Sequence, residues 1–596
     1  MRPLSQVAIL LNTRAINQMP AKTTSNATVT SPATDRRWPL LFALACGVMF
    51  FVNLGAAALF EPDEGRNAER AREILLLGNW AIPHENFLPA LDKPIFFYWL
   101  IAVSYKFFGI SEWSARLPSA LAATGCLIVL YRFVRVNRSH WESFASVLIL
   151  ATSLQFFLFA RIVIFDMTLT FFTSIALFEF YRATVTENQS ERLWRCLIMY
   201  AAIALATLVK GPIGIAIPGM VIFCHLLIAR KWRLLGEIHL VLGALIFCAI
   251  VVPVYLWAEF KNPGYLRYFL WEENVLRFFT PHFQRGQPWY YYALVITLGY
   301  LPWSVLIPSL VTAHWKKNQI NERDLFLILW IALPLLFFSL SSSKLPHYVL
   351  PIFPPLAILT AARLMEIVQA PSSPSRWLLG LPLLVSVSVV FHLVAGTVWP
   401  DVLPRQIRES IGVSDTLVWI AGILTAIVGV IFIFGRARGK WRQPGFVFGC
   451  YGAALLVYLL LMLQLSIQVS YHRSAKPAAQ HFAKFIAPTD QLVHYDGSLT
   501  GMPFYLRTAK PIWIVWSGTR SIVMDNIYVA QKQPPPALGY GQVLFTFREF
   551  AQAARQTKQP LRIIVKTKTL DRLAKDNALV IKTLTEFGEY SLVTTQ

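Results

Sequence analysis

Charge is scarce in this sequence. Only 14% of its 596 residues are Asp, Glu, Lys or Arg, while 56% are hydrophobic. A soluble domain carries about a quarter charged residues, so a soluble enzyme and a disordered scaffold are both excluded. Acidic residues are the rarer sign: 54 Lys and Arg against 32 Asp and Glu leave a net charge of +22. In a soluble protein that excess suggests a nucleic-acid partner. Here the basic residues sit in loops between apolar runs, where the positive-inside rule accounts for them, and no nucleic acid is expected. Cysteine is also sparse. Cys46, Cys126, Cys196, Cys224, Cys248 and Cys450 all lie in or beside apolar runs, which excludes a disulfide framework, and no Cys/His set has zinc-finger spacing. Residues 1–37 are rich in Thr, Ser and Asn and lack a cleavable signal design; they read as a disordered cytoplasmic leader.

What is abundant is long hydrophobic runs. Thirteen are legible, at 38–60, 116–134, 141–160, 167–181, 194–209, 211–229, 238–257, 289–311, 325–340, 348–365, 377–399, 416–434 and 445–468. Runs of around 20 residues fit a bilayer core, so 38–468 reads as a polytopic α-helical membrane domain. One further stretch, Pro94 to Gly109, is short and carries Lys106. If it does not span, the loops bearing Arg36/Arg37, Arg132/Arg135/Arg138, Arg230/Lys231/Arg233 and Arg436/Arg438/Lys440 all fall on one side. It therefore reads as an interfacial or re-entrant helix within an outer loop at 61–115. The N-terminus is then cytoplasmic and the chain beyond the last run lies outside the cytoplasm.

That tail, 469–596, changes character. HRSAKPAAQHFAKFI, GMPFYL, REFAQAARQT and TLDRLAKDN read as helices, and QLVHYD, PIWIVW and LRIIVKT as buried strands. It is a small α/β domain with no glycine-rich phosphate loop and no nucleophile elbow. A docking or capping role suits it.

The same topology gathers ionisable residues on the outer face: Asp63, Glu64, Arg66, Asp92, Lys93, Asp166, Lys210, Glu273, His282, Arg285, Lys344 and His347. Charge is far cheaper at helix ends than at the bilayer centre, where it costs roughly 2.5–3.5 kcal/mol on insertion scales. A site at the interface is expected. Asp63 opens a helix in EPDEGRNAERAREILLLGNW, either as an ordinary N-terminal acid or as a carboxylate that handles a proton. Lys93, in LDKPIFFYWL, either snorkels or neutralises a phosphate. Asp166 starts a span, and Lys210 lies in the turn VKGPIG. Lys344, His347 and Tyr348 stand in SSSKLPHYVLP. Asp92 and His282 are the candidate pair for a divalent metal such as zinc, although the chemistry requires no cofactor.

The stretch from Glu61 to Pro118, together with KGP, HFQRGQPWYYY and KLPHYVLPIFPPLAIL, resembles the aminoarabinose transferases of lipid A modification. Those are grouped with the protein O-mannosyltransferases among the polyprenyl-phosphate-dependent GT-C glycosyltransferases. The resemblance implies thirteen spans, two interfacial helices in the first outer loop and a periplasmic C-terminal domain, in a bacterial inner membrane. It implies an undecaprenyl-phosphate-linked sugar donor, drawn from membrane lipid, and lipid A or another periplasmic acceptor. By position, Asp63 and Asp166 match the catalytic acids, and Lys93, Arg66 and Lys210 the donor-phosphate ligands. Glu64, Arg285, Lys344, His347 and Tyr348 match the substrate cavity. Two positions depart from the pattern: Asn67 stands where the aminoarabinose enzymes have tyrosine, and Asp92 where they have glutamate. Both bear on the sugar and on any metal. An inverting pentosyl or hexosyl transfer by a monomer is expected. The alternatives are transfer to a polypeptide or glycolipid hydroxyl, as in the protein O-mannosyltransferases, and a lipid-linked sugar flippase. A flippase would place polar groups near the midplane on inverted repeats, which are not seen.

Overall fold

The computed structural model describes residues 46–276, 286–316, 320–369, 380, 415–440, 443–497, 499–516, 543–557, 559–577 and 580–595. The run at 377–399, the leader 1–37, His282 and Arg285 lie outside the described residues.

The first outer loop folds into two helices. Helix α1 (Asp63–Leu77) ends at Gly78, whose φ of +64° only glycine adopts without strain. A two-stranded hairpin follows, β1 (His84–Glu85) against β2 (Leu88–Pro89). Helix α2 (Phe96–Phe108) is too short to span and packs on α1 through Ala68, Ala71, Ile74, Phe97, Tyr98 and Ile101. Two helices are present where the sequence leads one to expect them.

The membrane domain is then helical. Its elements are α3 (Glu112–Asn137), α4 (His140–Thr152), α5 (Leu154–Phe159), α6 (Phe165–Val185), α7 (Gln189–Lys210), α8 (Ile213–Ile228) and α9 (Leu240–Lys261). After a π-helical segment at Arg267–Leu276 come α10 (Tyr291–Gly299), α11 (Ile307–Trp315), α12 (Glu322–Leu340) and α13 (Phe353–Gln369). The described part closes with α14 (Asp415–Ala437) and α15 (Pro444–His472). Among the described residues six helices are long and apolar enough to cross a membrane alone, or seven if a bent pair counts as one span. Several serines and threonines inside the bundle bond to the preceding turn, as Thr170 does to the Asp166 carbonyl and Ser174 to that of Thr170. Phe178, Trp303, Trp330 and Tyr451 fill the main core.

Three expected runs differ in form. The run 141–160 is broken at Ser153, whose extended backbone (ψ 125°) separates α4 from α5. The run 289–311 is bent by 112° between Tyr291–Gly299 and Trp303–Trp315, with Pro302 unable to continue the helix. The first run is helical at 46–48 and then proceeds in turns to residue 56. Its freed carbonyls are taken up by two buried arginines. Arg161 donates to Met49, Phe50 and Val52, and Arg116 to Leu54, Ala57 and Ala58.

The tail begins with α16 (Lys476–Phe482), since α15 runs on to His472, past the expected boundary. Its sheet has the order β5-β4-β3-β6-β8-β7. Strands β3 (Gln491–Tyr495), β4 (Trp513–Trp516), β5 (Leu544–Thr546) and β6 (Leu561–Lys566) run parallel, with the short helix α17 (Met502–Leu506) between β3 and β4. Helices α18 (Phe547–Gln556) and α19 (Leu570–Asn577) flank β6 in sequence. The last two strands, β7 (Ile581–Phe587) and β8 (Tyr590–Thr595), form an antiparallel hairpin on β6. That hairpin and β5 were not expected from sequence.

Candidate active site

At 100° per residue, Asp63, Arg66 and Arg70 fall on one face of α1. That face borders a cavity of about 400 Å³, whose other polar walls are Asp92 and Lys93 of the first loop, Asp166 of α6, Lys210 of α7, Glu273 of the π-helical segment, and His347 with Tyr348. The polar wall continues into apolar lining from Ile213, Ala216, Phe269, Phe337 and Phe338. Residues more than 280 positions apart in the sequence thus share one space.

The charges inside it are balanced and mostly paired. Lys93 Nζ meets Glu273 Oε1 at 2.9 Å and donates to the Asp92 carbonyl at 2.8 Å. Asp166, 1% exposed, bridges Lys210 and His347, whose Nε2 lies 3.7 Å from Asp166 Oδ2. The Lys210 ammonium sits 4.5 Å from the centre of the Tyr348 ring, a cation–π contact. Gly211, directly after Lys210, has φ +75°, and a Cβ there would meet the Phe269 ring at 2.5 Å. Glycine is what lets the π-helical segment close on Lys210.

Behind this wall lies a largely buried network that links the expected Arg66 and Asp92 to Arg70, Tyr98 and Glu85, which the sequence did not single out. Arg70, 1% exposed, donates to Asp92 at 2.8 Å, to Tyr98 Oη at 2.9 Å and to Glu85. Glu85 also holds Arg66 Nε at 3.3 Å. Burial pushes the Asp92 carboxyl upward, but Arg70, Lys93 and Arg66 outweigh it and hold Asp92 below the usual carboxylate range. Burial raises the Tyr98 phenol, so it stays protonated and can donate. Asn67 joins the wall by donating to the Val163 carbonyl and accepting from Tyr98. The i, i+4 spacing of Arg66 and Arg70 on the Asp63 face was a signal for the second arginine. Glu85 gave none, because it belongs to a two-residue strand.

Asp63 differs from every other carboxylate here. Its side chain is 70% exposed, against 2% for Asp166, 5% for Glu273 and 15% for Asp92, and its contact with Arg66 is loose at 3.6 Å. It is the carboxylate a molecule entering the cavity meets.

Two expected cavity residues stand elsewhere. Glu64 points away from the Asp63 face, is 3% exposed, and pairs with Arg116 at 2.8 Å while accepting from the Val163 amide. One helical position turns a side chain by 100°, which carries Glu64 into the protein interior. Lys344 is not part of the cavity wall; it is buried and donates to the Ser341 carbonyl at 2.8 Å. Asp92, the expected metal ligand, faces Arg70 and Lys93, two cations that a divalent ion would have to displace. Among the described residues no three His, Cys, Asp or Glu come together to hold an ion.

Residues 92–257 match the family described as dolichyl-phosphate-mannose-protein mannosyltransferase. An undecaprenyl phosphate-alpha-4-amino-4-deoxy-L-arabinose arabinosyl transferase of Erwinia tasmaniensis is 31% identical over 329 residues, 54% of this chain and 59% of that protein. The Aeromonas hydrophila transferase of the same name is 32% identical over 343 residues, 56% of this chain and 61% of its own length. The matched region thus spans only 59–61% of these curated relatives. The crystal structure of ArnT from Cupriavidus metallidurans bound to undecaprenyl phosphate aligns with a TM-score of 0.74 at 25% identity, over 94% of this chain and 98% of that one. The chain resembles the aminoarabinose transferases and has their fold: a polytopic helical GT-C domain with a C-terminal sheet domain.

Proposed function

We propose that this chain is an inner-membrane glycosyltransferase that moves a sugar from undecaprenyl phosphate to an acceptor at the periplasmic face. The reading places the N-terminus in the cytoplasm and the C-terminal domain in the periplasm. Aminoarabinose or a related sugar is the group transferred, and a lipid A phosphate is the acceptor. The observation that carries this reading is the exposed Asp63 carboxylate facing a cavity with Arg66, Lys93 and Lys210 in its walls.

The chemistry follows from those groups. The donor C1–O bond breaks and leaves a polyprenyl phosphate, whose growing charge Lys93, Arg66 and Lys210 stabilise. Each of these cations already has a carboxylate beside it, so it is fixed before the phosphate arrives. Preorganised charge acts without reorganisation cost at the moment of reaction. The acceptor oxygen attacks C1 from the opposite side, which inverts the anomeric centre. A phosphate acceptor is already anionic and needs no base; the Arg66 guanidinium beside Asp63 can orient it, while Asp63 faces the donor sugar. Asp166 works through Lys210 and His347, which it holds. The apolar lining from Ile213 to Phe338 suits the prenyl chain. No step passes through a metal, and one chain supplies the whole site.

The family match over 92–257 favours one second reading, transfer to a hydroxyl, in which Asp63 would remove the acceptor proton. Mass spectrometry of lipid A separates the two. Cells lacking the gene are complemented with wild type or Asp63→Asn. A sugar increment on lipid A is expected with wild type alone, with both proteins equally abundant in membranes. Identical lipid A in all strains overturns the lipid A reading and directs the search to glycoproteins and other glycolipids.

A further inference from the structure

The side of α1 that faces away from the cavity is occupied by the C-terminal domain. Glu61, two residues before Asp63, accepts from the Thr500 amide at 2.9 Å, the Thr500 hydroxyl at 2.6 Å and the Gly501 amide at 2.7 Å. Gly65 lies directly on Gly501, since a Cβ on Gly65 would be 2.8 Å from Gly501 Cα. Further along the helix Arg72 donates to the Thr508 carbonyl at 2.7 Å. Upstream, the Leu59 amide donates to Tyr505 Oη at 2.8 Å. On a helical wheel Gly65 and Arg72 fall within about 20° of each other, roughly opposite Asp63 and Arg70 and about 100–120° from Arg66. The amino end of α1 has no side-chain cap; its Glu64 and Gly65 amides donate to the Phe60 carbonyl, and the tail holds this end through Glu61 instead.

We propose that Glu61 is a positioning residue, and that its grip on Thr500 and Gly501 sets where Asp63 and Arg66 stand in the cavity. The inference rests on the transferase reading for its catalytic consequence, but not for its structural one. Two successive backbone amides and a hydroxyl converging on one carboxylate fix both its direction and its distance. A shift of about 1 Å in a reacting group costs on the order of a hundredfold in rate. Lys210 stands on α7 and pairs with Asp166 of α6, so it keeps its place when α1 moves.

The test uses the full-length protein in lipid nanodiscs, as wild type, Glu61→Ala, Thr500→Val and Thr500→Ser. Turnover is measured with an undecaprenyl-phosphate-linked sugar, and amide hydrogen exchange is followed in α1 and in α7. Glu61→Ala is expected to lower kcat at least tenfold with donor KM within threefold. Amides of residues 64–66 should exchange at least tenfold faster, with α7 unchanged. Thr500→Val should fall between, and Thr500→Ser, which keeps the hydroxyl, should match wild type. Wild-type kcat in Glu61→Ala overturns the proposal, and so does faster exchange in α7 to the same degree, which marks general loosening. If wild type transfers no sugar, the transferase reading falls and the exchange data decide the latch alone. It stands if valine loosens α1 and serine does not, and falls if both behave as wild type.

Discussion

Arg70 holds Asp92, Tyr98 and Glu85 at once, in a place almost without water. Removing one partner of such a buried pair strands the others' charge, which costs about 3–5 kcal/mol. Arg70→Met is therefore expected to lower the thermal unfolding midpoint in detergent markedly. Asp63→Asn, at an exposed side chain, should leave the midpoint nearly unchanged, a stability change within about 0.5 kcal/mol. The two substitutions separate holding the wall from doing the chemistry. Glu64 belongs with Arg70. Its carboxylate is paired with Arg116, and Arg116 also collects the carbonyls of the first run. Glu64→Gln should destabilise the protein while binding of undecaprenyl phosphate to the folded fraction, read by tryptophan fluorescence titration, stays within twofold. A loss of binding with unchanged stability would return Glu64 to the cavity.

At the scale of elements, the β1–β2 hairpin ties α1 to α2 and brings a buried histidine with it. Burial drives the His84 imidazole down from 6.5 to about 4. The folded state thus binds its proton later than the unfolded chain does. The stability tied to a neutral His84 is complete above about pH 6.5 and is lost as pH falls towards 4, on the order of 3 kcal/mol in all. His84→Gln should flatten that slope, seen by comparing unfolding midpoints of both proteins at pH 7.5 and 4.5; parallel slopes would refute it. Elements were legible wherever periodicity or hydropathy carries over ten residues or more. Helices α1 and α2 and the long helices from α3 onward follow from it, whereas the tail's short parallel strands β3, β4 and β6 were legible from apolar runs bounded by turn residues. The break at Ser153 and the 112° bend at Pro302 did not show, because a hydropathy sum counts side chains and ignores where backbone carbonyls find donors. The cavity's Asp63, Lys93 and Asp166 were legible because topology puts them on one face. Glu85 was not, since its partners Arg66 and Arg70 are chosen by the tertiary fold. Glu64 was misplaced for a simple reason: adjacency in sequence is not adjacency on a helix.

Over the whole molecule, two units share one boundary. Phe504 of the tail belongs to the same apolar cluster as Ala68, Phe97 and Phe165 of the membrane domain, and Lys476 pairs with Glu112 across the junction. Asn86 and Ile512 bond in both directions, each at 2.7 Å. The first loop is clasped from above by the tail and from below by the spans.

The clasp has a consequence for the order of synthesis. A ribosome makes Glu61 and Lys93 early, but their partners Glu273 and Thr500 come 180 and 439 residues later. Neither contact can form before the π-helical segment and the tail have been made. The cavity wall around Asp63 and Lys93 is therefore finished only after the tail, hundreds of residues further along the chain, has been made.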